Sequence, residues 1–245
     1  MHKAKTLALG SVMAASLVAS SAAMAEVTAN VAAVSQYYFR GVQLTDSAAV
    51  QGGIDWAHDS GFYVGTWAST LNGGDPSYEI DGYLGFGNEI GSFTYDIGYM
   101  LYAYPDNSDK DVTEFGNYGE IYASVGWEWL SLGLAYTSNS EFDKDDGGVF
   151  VPGDIYYYAG LDFGLPQDWS LGFVLGAYTF TNDGKTPGGE YNYNHLSANV
   201  TKDAGDYGAF GLNFEMTDID PDKTNLITST NSDKPKFWVS WSKDF

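Results

Sequence analysis

Apolar and polar residues alternate along most of the chain with a period of two, the period of a half-buried β-strand. In one segment, for example, Val50, Ile54 and Trp56 share one parity. Gln51 and Asp55 occupy the other. Clusters of Gly, Pro, Asn and Asp separate segments of about ten residues, as turns do between strands. The pattern predicts twelve strands, near residues 27–39, 48–58, 62–70, 78–88, 93–104, 117–127, 130–138, 154–163, 169–180, 192–202, 207–217 and 236–245.

The predicted connections alternate in length. Long or polar connections follow odd-numbered strands, as at 105–116, 140–153 and 218–235, whereas short ones such as 59–61 and 89–92 follow even-numbered strands. A soluble β-sandwich would share the period of two, but it gives no reason for this alternation. The sequence therefore predicts an all-β fold, a closed antiparallel transmembrane up-and-down β-barrel of about 12 strands, with its long loops outside the cell.

The first 25 residues differ from the rest of the chain. Lys3 and Lys5 precede a short apolar stretch, and Ala23-Met24-Ala25 has the small-residue pattern of a cleavage site. These features predict a cleaved signal peptide over 1–25 and a barrel domain over 26–245. Export of a barrel predicts the outer membrane of a Gram-negative cell as its location.

Composition supports strands and excludes other classes. The chain contains 30 Gly, 19 Tyr, 14 Phe and 7 Trp, a mixture that favours strands and turns over helices. It contains no cysteine, so no disulfide framework stabilises it. Without Lys3 and Lys5, 9 basic residues face 32 acidic ones, a net charge of −23. We therefore expect no nucleic-acid partner.

Aromatic residues collect near the predicted strand ends, where barrels of this type carry interfacial girdles. They are Tyr37, Tyr38, Phe39, Trp56, Trp127, Trp129, Trp169, Trp238 and Trp241. In the last segment Phe237, Val239 and Phe245 share a parity that Lys243 interrupts. This segment resembles the C-terminal strand that the outer-membrane assembly machinery recognises. The expected partners are that machinery, through the strand ending in Phe245, together with outer-membrane lipid and lipopolysaccharide.

Several segments resemble one known family. VSQYYFRGVQLTDSAAVQGGIDWAHDSGFYVGTWAST, from Val34 to Thr70, is similar to the opening of the TorF family of proposed porins, long described as conserved proteins of unknown function. YDIGYMLYAYP at 95–105, EIYASVGWEW at 120–129 and the ending WVSWSKDF continue the similarity. The resemblance implies an outer-membrane porin and indicates no particular solute.

If the apolar parity faces lipid, the polar parity faces the lumen. The predicted pore-lining residues are Arg40, Gln51, Asp55, Glu79, Asp81, Asp96, Glu120, Asp162 and Glu215. Tyr83, Tyr122, Tyr158 and Asn213 share this parity. An acidic lining raises the barrier to anions, so it predicts a preference for cations. The alternative is that these acids bond to lumenal hydroxyls and plug the barrel.

Arg40 is the only arginine, and the pattern places it at the end of strand one, on the parity that faces the lumen. Its planar guanidinium group can bind a carboxylate inside the barrel through two hydrogen bonds, or it can bind an anionic group of a solute. We favour a structural ion pair inside the barrel.

No enzyme is predicted. His195 and Ser197 resemble the His-x-Ser of outer-membrane phospholipases, but Leu196 and Ala198 hold the lipid-facing parity, so the pair would face the lumen. No spacing of His or Cys indicates a metal site, and no cofactor is expected. The predicted function is passive conduction of small hydrophilic solutes or ions through a narrow acidic lumen. The alternative is a non-conducting barrel with a structural or surface-binding role through its extracellular loops.

Overall fold

The computed structural model describes residues 26–73, 75–107, 116–142, 147–185, 188–224, 226 and 234–245. The predicted signal peptide and parts of the predicted long loops lie outside these residues. The strands are β1 (Glu26–Val34), β2 (Tyr38–Phe39), β3 (Val42–Gln43), β4 (Ala49–Ala57), β5 (Phe62–Thr70), β6 (Tyr78–Ile90), β7 (Phe93–Ala103), β8 (Tyr118–Trp127), β9 (Leu130–Ser140), β10 (Ile155–Leu165), β11 (Trp169–Thr179), β12 (Tyr193–Asp203), β13 (Ala209–Thr217) and β14 (Lys236–Asp244), with a 3₁₀ turn at Gly205–Tyr207.

Twelve strands form one closed antiparallel barrel, and β2 and β3 form a separate hairpin. Each barrel strand pairs with the next barrel strand along the chain, and β1 pairs with β14 from Asn30 opposite Asp244 to Val34 opposite Ser240. Closure leaves no unpaired sheet edge, which is what a sheet surrounded by lipid requires. The predicted fold class is confirmed, and most strand bounds agree within a few residues.

The two faces of the barrel differ as the alternation predicts. Val50 and Ile54 are 59% and 57% exposed on the outside. Glu79, Asp81 and Glu120, on the opposite parity, are buried inside. An apolar exterior around a polar interior is the inverse of the arrangement in a water-soluble protein and is typical of transmembrane barrels.

Short turns join the strands at one end of the barrel and longer loops at the other. Two-residue turns join β6 to β7 and β8 to β9, and Gly91 has the positive φ of 66° that such a tight turn favours. We call these the turn end and the loop end. No helix in the described part of the chain is long and apolar enough to cross a membrane.

The predicted aromatic girdle is only partly present. Trp127, Trp129 and Trp169 are exposed near the turn end, as an interfacial girdle requires. In contrast, Tyr37, Tyr38 and Trp238 are buried inside, and Tyr38 stacks on Trp238 with ring centroids 5.8 Å apart. Phe39 packs on the buried Tyr102. The prediction was wrong for these four because an aromatic side chain packs in a protein interior as well as at a lipid interface.

The first strand is shorter than predicted. It ends at Val34, and residues 35–48, which we call the lumenal hairpin, fold back into the barrel. Arg40 therefore lies in the turn between β2 and β3 and not at the end of a barrel strand. The prediction that strand one reaches residue 39 failed because this segment continues the period of two, although it buries its side chains against the lumen wall.

Candidate functional site

Local bonds shape the lumenal hairpin. Tyr38 pairs with Gln43, and the intervening turn places Arg40 and Gly41 at φ 50° and 84°. Thr45 Oγ1 accepts the Tyr37 N–H at 2.8 Å, which closes the loop behind the hairpin. These contacts present the Arg40 side chain to the opposite wall.

Gly41 is needed for close packing of the hairpin. A Cβ at this position would lie 2.5 Å from the His195 Cβ on β12, and the positive φ also disfavours other residues. The hairpin backbone therefore rests directly on the lumen wall.

The lumenal hairpin contacts at least eight of the twelve barrel strands. Its residues touch Trp67 on β5, Glu79 on β6, Tyr102 on β7, Glu120 on β8, Tyr156 on β10, Tyr178 on β11, Tyr193 and His195 on β12, and Trp238 on β14. These strands lie on opposite sides of the barrel, so the hairpin crosses the lumen.

Arg40 forms a bidentate ion pair with Glu120. Its Nη1 and Nη2 donate to Glu120 Oε1 and Oε2 at 2.8 and 2.7 Å, and both side chains are buried. The ion pair predicted for Arg40 is thus present, with Glu120 as its partner. A charge-assisted fork of this kind is among the stronger hydrogen-bonded pairs in proteins.

Two tyrosines and an aromatic face complete the surroundings of Arg40. The hydroxyls of Tyr178 and Tyr102 donate to Glu120 at 2.9 and 3.2 Å and accept from Arg40 at 3.2 and 3.4 Å. The guanidinium carbon lies 4.3 Å from the ring centroid of Tyr156. The buried carboxylate therefore has four donors, and the buried cation has a ring face as well as acceptors.

Tyrosines bind two further carboxylates toward the turn end. Tyr83 donates to Asp55 at 2.5 Å, and Tyr63 donates to Asp96 at 2.7 Å. Gly65 faces the ring of Tyr83, where a Cβ would lie only 2.4 Å from it. Inward-facing glycines thus make room for the tyrosines that hold the acids.

A cavity of about 120 Å³ lies beneath the lumenal hairpin. Its wall includes the ion pair, Asp96 and several aromatic rings. The lining residues are Tyr37, Phe39, Arg40, Trp67, Asp96, Met100, Tyr102, Glu120, Tyr122, Ala123, Ser124, Leu134, Ala135, Tyr156 and Tyr158. A water needs roughly 10–15 Å³ of such space, so the cavity can hold several waters or one small organic ion.

The remaining predicted pore-lining residues are spread along the interior. Glu79 accepts from the Tyr104 hydroxyl at 3.1 Å, and Asp81 is buried two residues further along β6. Glu215 accepts from Ser197. Gln51 and Asp162 are half-buried on β4 and β10. The structure brings Arg40 and Glu120 together and places Asp81 close enough to both Glu79 and Glu120 to interact with them. A role in a conducting pore stays a prediction for all nine.

The geometry around His195 is not that of a hydrolase triad. Ser197 Oγ contacts both His195 Nδ1, at 3.1 Å, and Glu215, while His195 Nε2 contacts Tyr156 at 2.9 Å. In a triad the histidine lies between the serine and the acid, whereas here the serine lies between them. Across the described ranges, no group of three His, Cys, Asp or Glu side chains is arranged to hold a metal ion.

The sequence did not predict the lumenal hairpin. It offered bonds between lumenal hydroxyls and the acids only as an alternative, without the pairs Tyr83–Asp55 and Tyr63–Asp96. The available signals were the Arg40-Gly41 pair in a segment otherwise read as strand and the recurrence of inward glycines opposite tyrosines. Each is weak on its own, because glycine and tyrosine are frequent throughout this chain.

The closed barrel, its apolar exterior and its polar lumen define a β-barrel protein of the transmembrane class. A family model described as "Bacterial protein of unknown function (Gcw_chp)" matches residues 18–245, so the chain belongs to the Gcw_chp family. That description does not include the TorF name, so the TorF similarity remains a resemblance. No curated protein matches the chain in sequence.

Two solved structures share the fold. A KdgM porin in complex with disordered oligogalacturonate is 9% identical, with a TM-score of 0.55, and the alignment covers 89% of this chain and 98% of that one. A NanC porin is 8% identical, with a TM-score of 0.52 and the same coverage. At these identities the likeness concerns the fold alone.

Proposed function

We propose that this protein is an outer-membrane porin that conducts small hydrophilic solutes or ions and prefers cations. The closed barrel with an apolar exterior supports the membrane location, since such a surface is stable only in lipid. In this proposal the loop end faces outward and the turn end faces the periplasm. The fold shared with two porins, and the resemblance to the TorF family, agree with it.

The observation that carries the cation preference is the binding of Arg40 inside the lumen. A buried positive charge is stable only where its surroundings replace water, and here Glu120 and the face of Tyr156 do so. Asp55 and Asp96 add negative charge toward the turn end. A permeating cation meets favourable charge along this path, whereas an anion is repelled.

The lumenal hairpin sets the expected size of the pore. It crosses the lumen at the level of Glu120 and leaves a cavity of about 120 Å³ below. We therefore propose a low-conductance pore whose open state requires displacement of the hairpin.

A second candidate is a non-conducting barrel with a structural or surface-binding role. The bonds from Tyr83 to Asp55 and from Tyr63 to Asp96, together with the hairpin across the lumen, favour it. In this case the acids stabilise the interior, and the loops carry any function.

Swelling of proteoliposomes distinguishes the two candidates. Purified protein is refolded into liposomes, its folding is checked by heat-dependent gel mobility, and swelling is followed in isosmotic lysine hydrochloride, glycine and sodium glutamate. The porin proposal predicts faster swelling in lysine hydrochloride than in glutamate. No swelling above that of protein-free liposomes, from correctly folded barrels, would instead support the non-conducting barrel.

A further inference from the structure

The side chains around Arg40 have the form of a receptor for a guanidinium ion. Glu120 accepts from both terminal nitrogens, and the hydroxyls of Tyr102 and Tyr178 accept from one nitrogen each. The ring of Tyr156 covers one face of the cation at 4.3 Å. The planar ion is thus held along its edge by a carboxylate and on its face by a ring. We call Tyr102, Glu120, Tyr156 and Tyr178 the guanidinium cage.

The cage belongs to the barrel, whereas the cation belongs to a loop. Tyr102, Glu120, Tyr156 and Tyr178 lie on β7, β8, β10 and β11, and ladder pairing fixes the positions of these strands. Tyr178 and Tyr102 also bond directly to Glu120, and the ring of Tyr156 packs against Tyr178 with centroids 5.6 Å apart, so the four side chains position one another. The barrel wall therefore preorganises these four side chains, and preorganisation favours binding. The hairpin adds the Phe39 ring, which packs on Tyr102 and lies 4.6 Å from the guanidinium carbon.

The cage faces the cavity below the hairpin. Tyr102, Glu120 and Tyr156 all line this cavity, and Asp96 lies on its wall toward the turn end. A cation entering there passes a carboxylate before it reaches Glu120.

We propose that the guanidinium cage is a binding site for guanidinium-bearing solutes, which Arg40 occupies in the resting protein and a solute occupies when the hairpin is displaced. The inference rests on the proposed function only in that a solute must be able to enter the lumen. Because Arg40 is tethered, it competes at an effective concentration of about the millimolar range or above. A free solute therefore binds the wild type weakly and binds a protein without the Arg40 side chain much more tightly.

The geometry selects guanidinium over a simple ammonium ion. Two parallel N–H bonds of 2.8 and 2.7 Å to one carboxylate need two nitrogens held in a plane. An ammonium ion offers one nitrogen, so it cannot satisfy both Glu120 oxygens in this way and presents no flat face to Tyr156.

The test measures binding of methylguanidinium to purified Arg40→Ala protein in detergent by titration calorimetry at constant ionic strength. Methylammonium is the matched ligand control, and Arg40→Ala/Glu120→Gln is the matched protein control. We expect saturable binding of methylguanidinium to Arg40→Ala with a Kd about tenfold or more below those for methylammonium and for the wild type. The double variant should lose this binding.

Equal affinity of Arg40→Ala for the two ligands, or affinity no higher than that of the wild type, would overturn the proposal. If Arg40→Ala does not fold, Arg40→Lys serves in its place. Lysine occupies the same space in the lumen but cannot donate two parallel bonds to the Glu120 carboxylate. Methylguanidinium must then bind Arg40→Lys more tightly than the wild type, or the proposal fails. Binding without conductance would refute the proposed porin function and support the guanidinium site. Conductance without binding would support the porin function and refute the guanidinium site.

Discussion

Glu120→Gln removes the charge that holds the lumenal hairpin in the barrel. Glu120 accepts two bonds from Arg40 and one each from Tyr102 and Tyr178, all within the buried lumen. Glutamine keeps the volume, but it leaves the guanidinium without a counter-charge and places an NH₂ group against one of its donors. The closed arrangement of the hairpin should therefore become much less stable, while the barrel ladder is unchanged.

The size of the shift in the hairpin equilibrium follows from the free energy of the Arg40–Glu120 ion pair. Breaking a buried ion pair by removing one partner costs about 3–5 kcal/mol. Since about 1.4 kcal/mol is a factor of ten, the equilibrium between the closed and displaced hairpin should shift by roughly 10²- to 4 × 10³-fold. Tyr178→Phe removes one hydroxyl donor to the carboxylate, a bond worth about 1.5–3 kcal/mol, and should give a smaller shift in the same direction.

Open probability in planar bilayers measures this shift. We expect long openings from Glu120→Gln, fewer from Tyr178→Phe and brief ones from the wild type. Glu89→Gln, at an exposed carboxylate near the turn end, is the control and should behave as wild type. If Glu120→Gln folds and opens no more often than Glu89→Gln, the ion pair does not hold the hairpin in the lumen.

Three further predictions concern the exterior, the hairpin turn and a loop. Ile54→Arg, on the outer face near the middle of β4, should lower the free energy of unfolding in lipid by about 2–4 kcal/mol, and Val50→Arg near the strand end by about 0–1 kcal/mol, as measured by urea titration of gel mobility. Gly41→Val should displace the hairpin and raise conductance without reducing barrel folding, because a side chain at this φ meets the lumen wall. Bonds from the Ser77 hydroxyl and N–H lower the pKa of Asp106. The contact between Asp106 and Ser77 should be fully formed above about pH 4, the unfolded pKa of Asp, and should weaken as the pH falls through the lowered folded pKa. Its loss should be seen as faster amide exchange at Ser77. The variant Asp106→Asn should show this faster exchange at every pH.

The barrel could be predicted from the sequence because its constraints are local. Each strand must alternate lipid-facing and lumen-facing residues, as Val50 and Gln51 do. Each connection must be short at the turn end and can be longer at the loop end. These constraints hold for every strand, so an error at one boundary does not change the topology.

The interior could be predicted only in part, because its contacts join residues far apart in the sequence. Parity placed Arg40 and Glu120 in the lumen, but their pairing joins residues 80 positions apart. Tyr38 and Trp238 carry the same apolar signal whether they face lipid or pack inside. The fold back at Val34 depends on such packing and has no local pattern of its own.

If the lumen is a cation-preferring path through a membrane barrel, potassium carries most of the current in a potassium chloride gradient. The reversal potential of single-channel currents from refolded wild-type protein in a planar bilayer measures this preference. We expect discrete small steps whose reversal potential lies toward the equilibrium potential of potassium. A reversal potential toward that of chloride, or no current from folded protein, would contradict it.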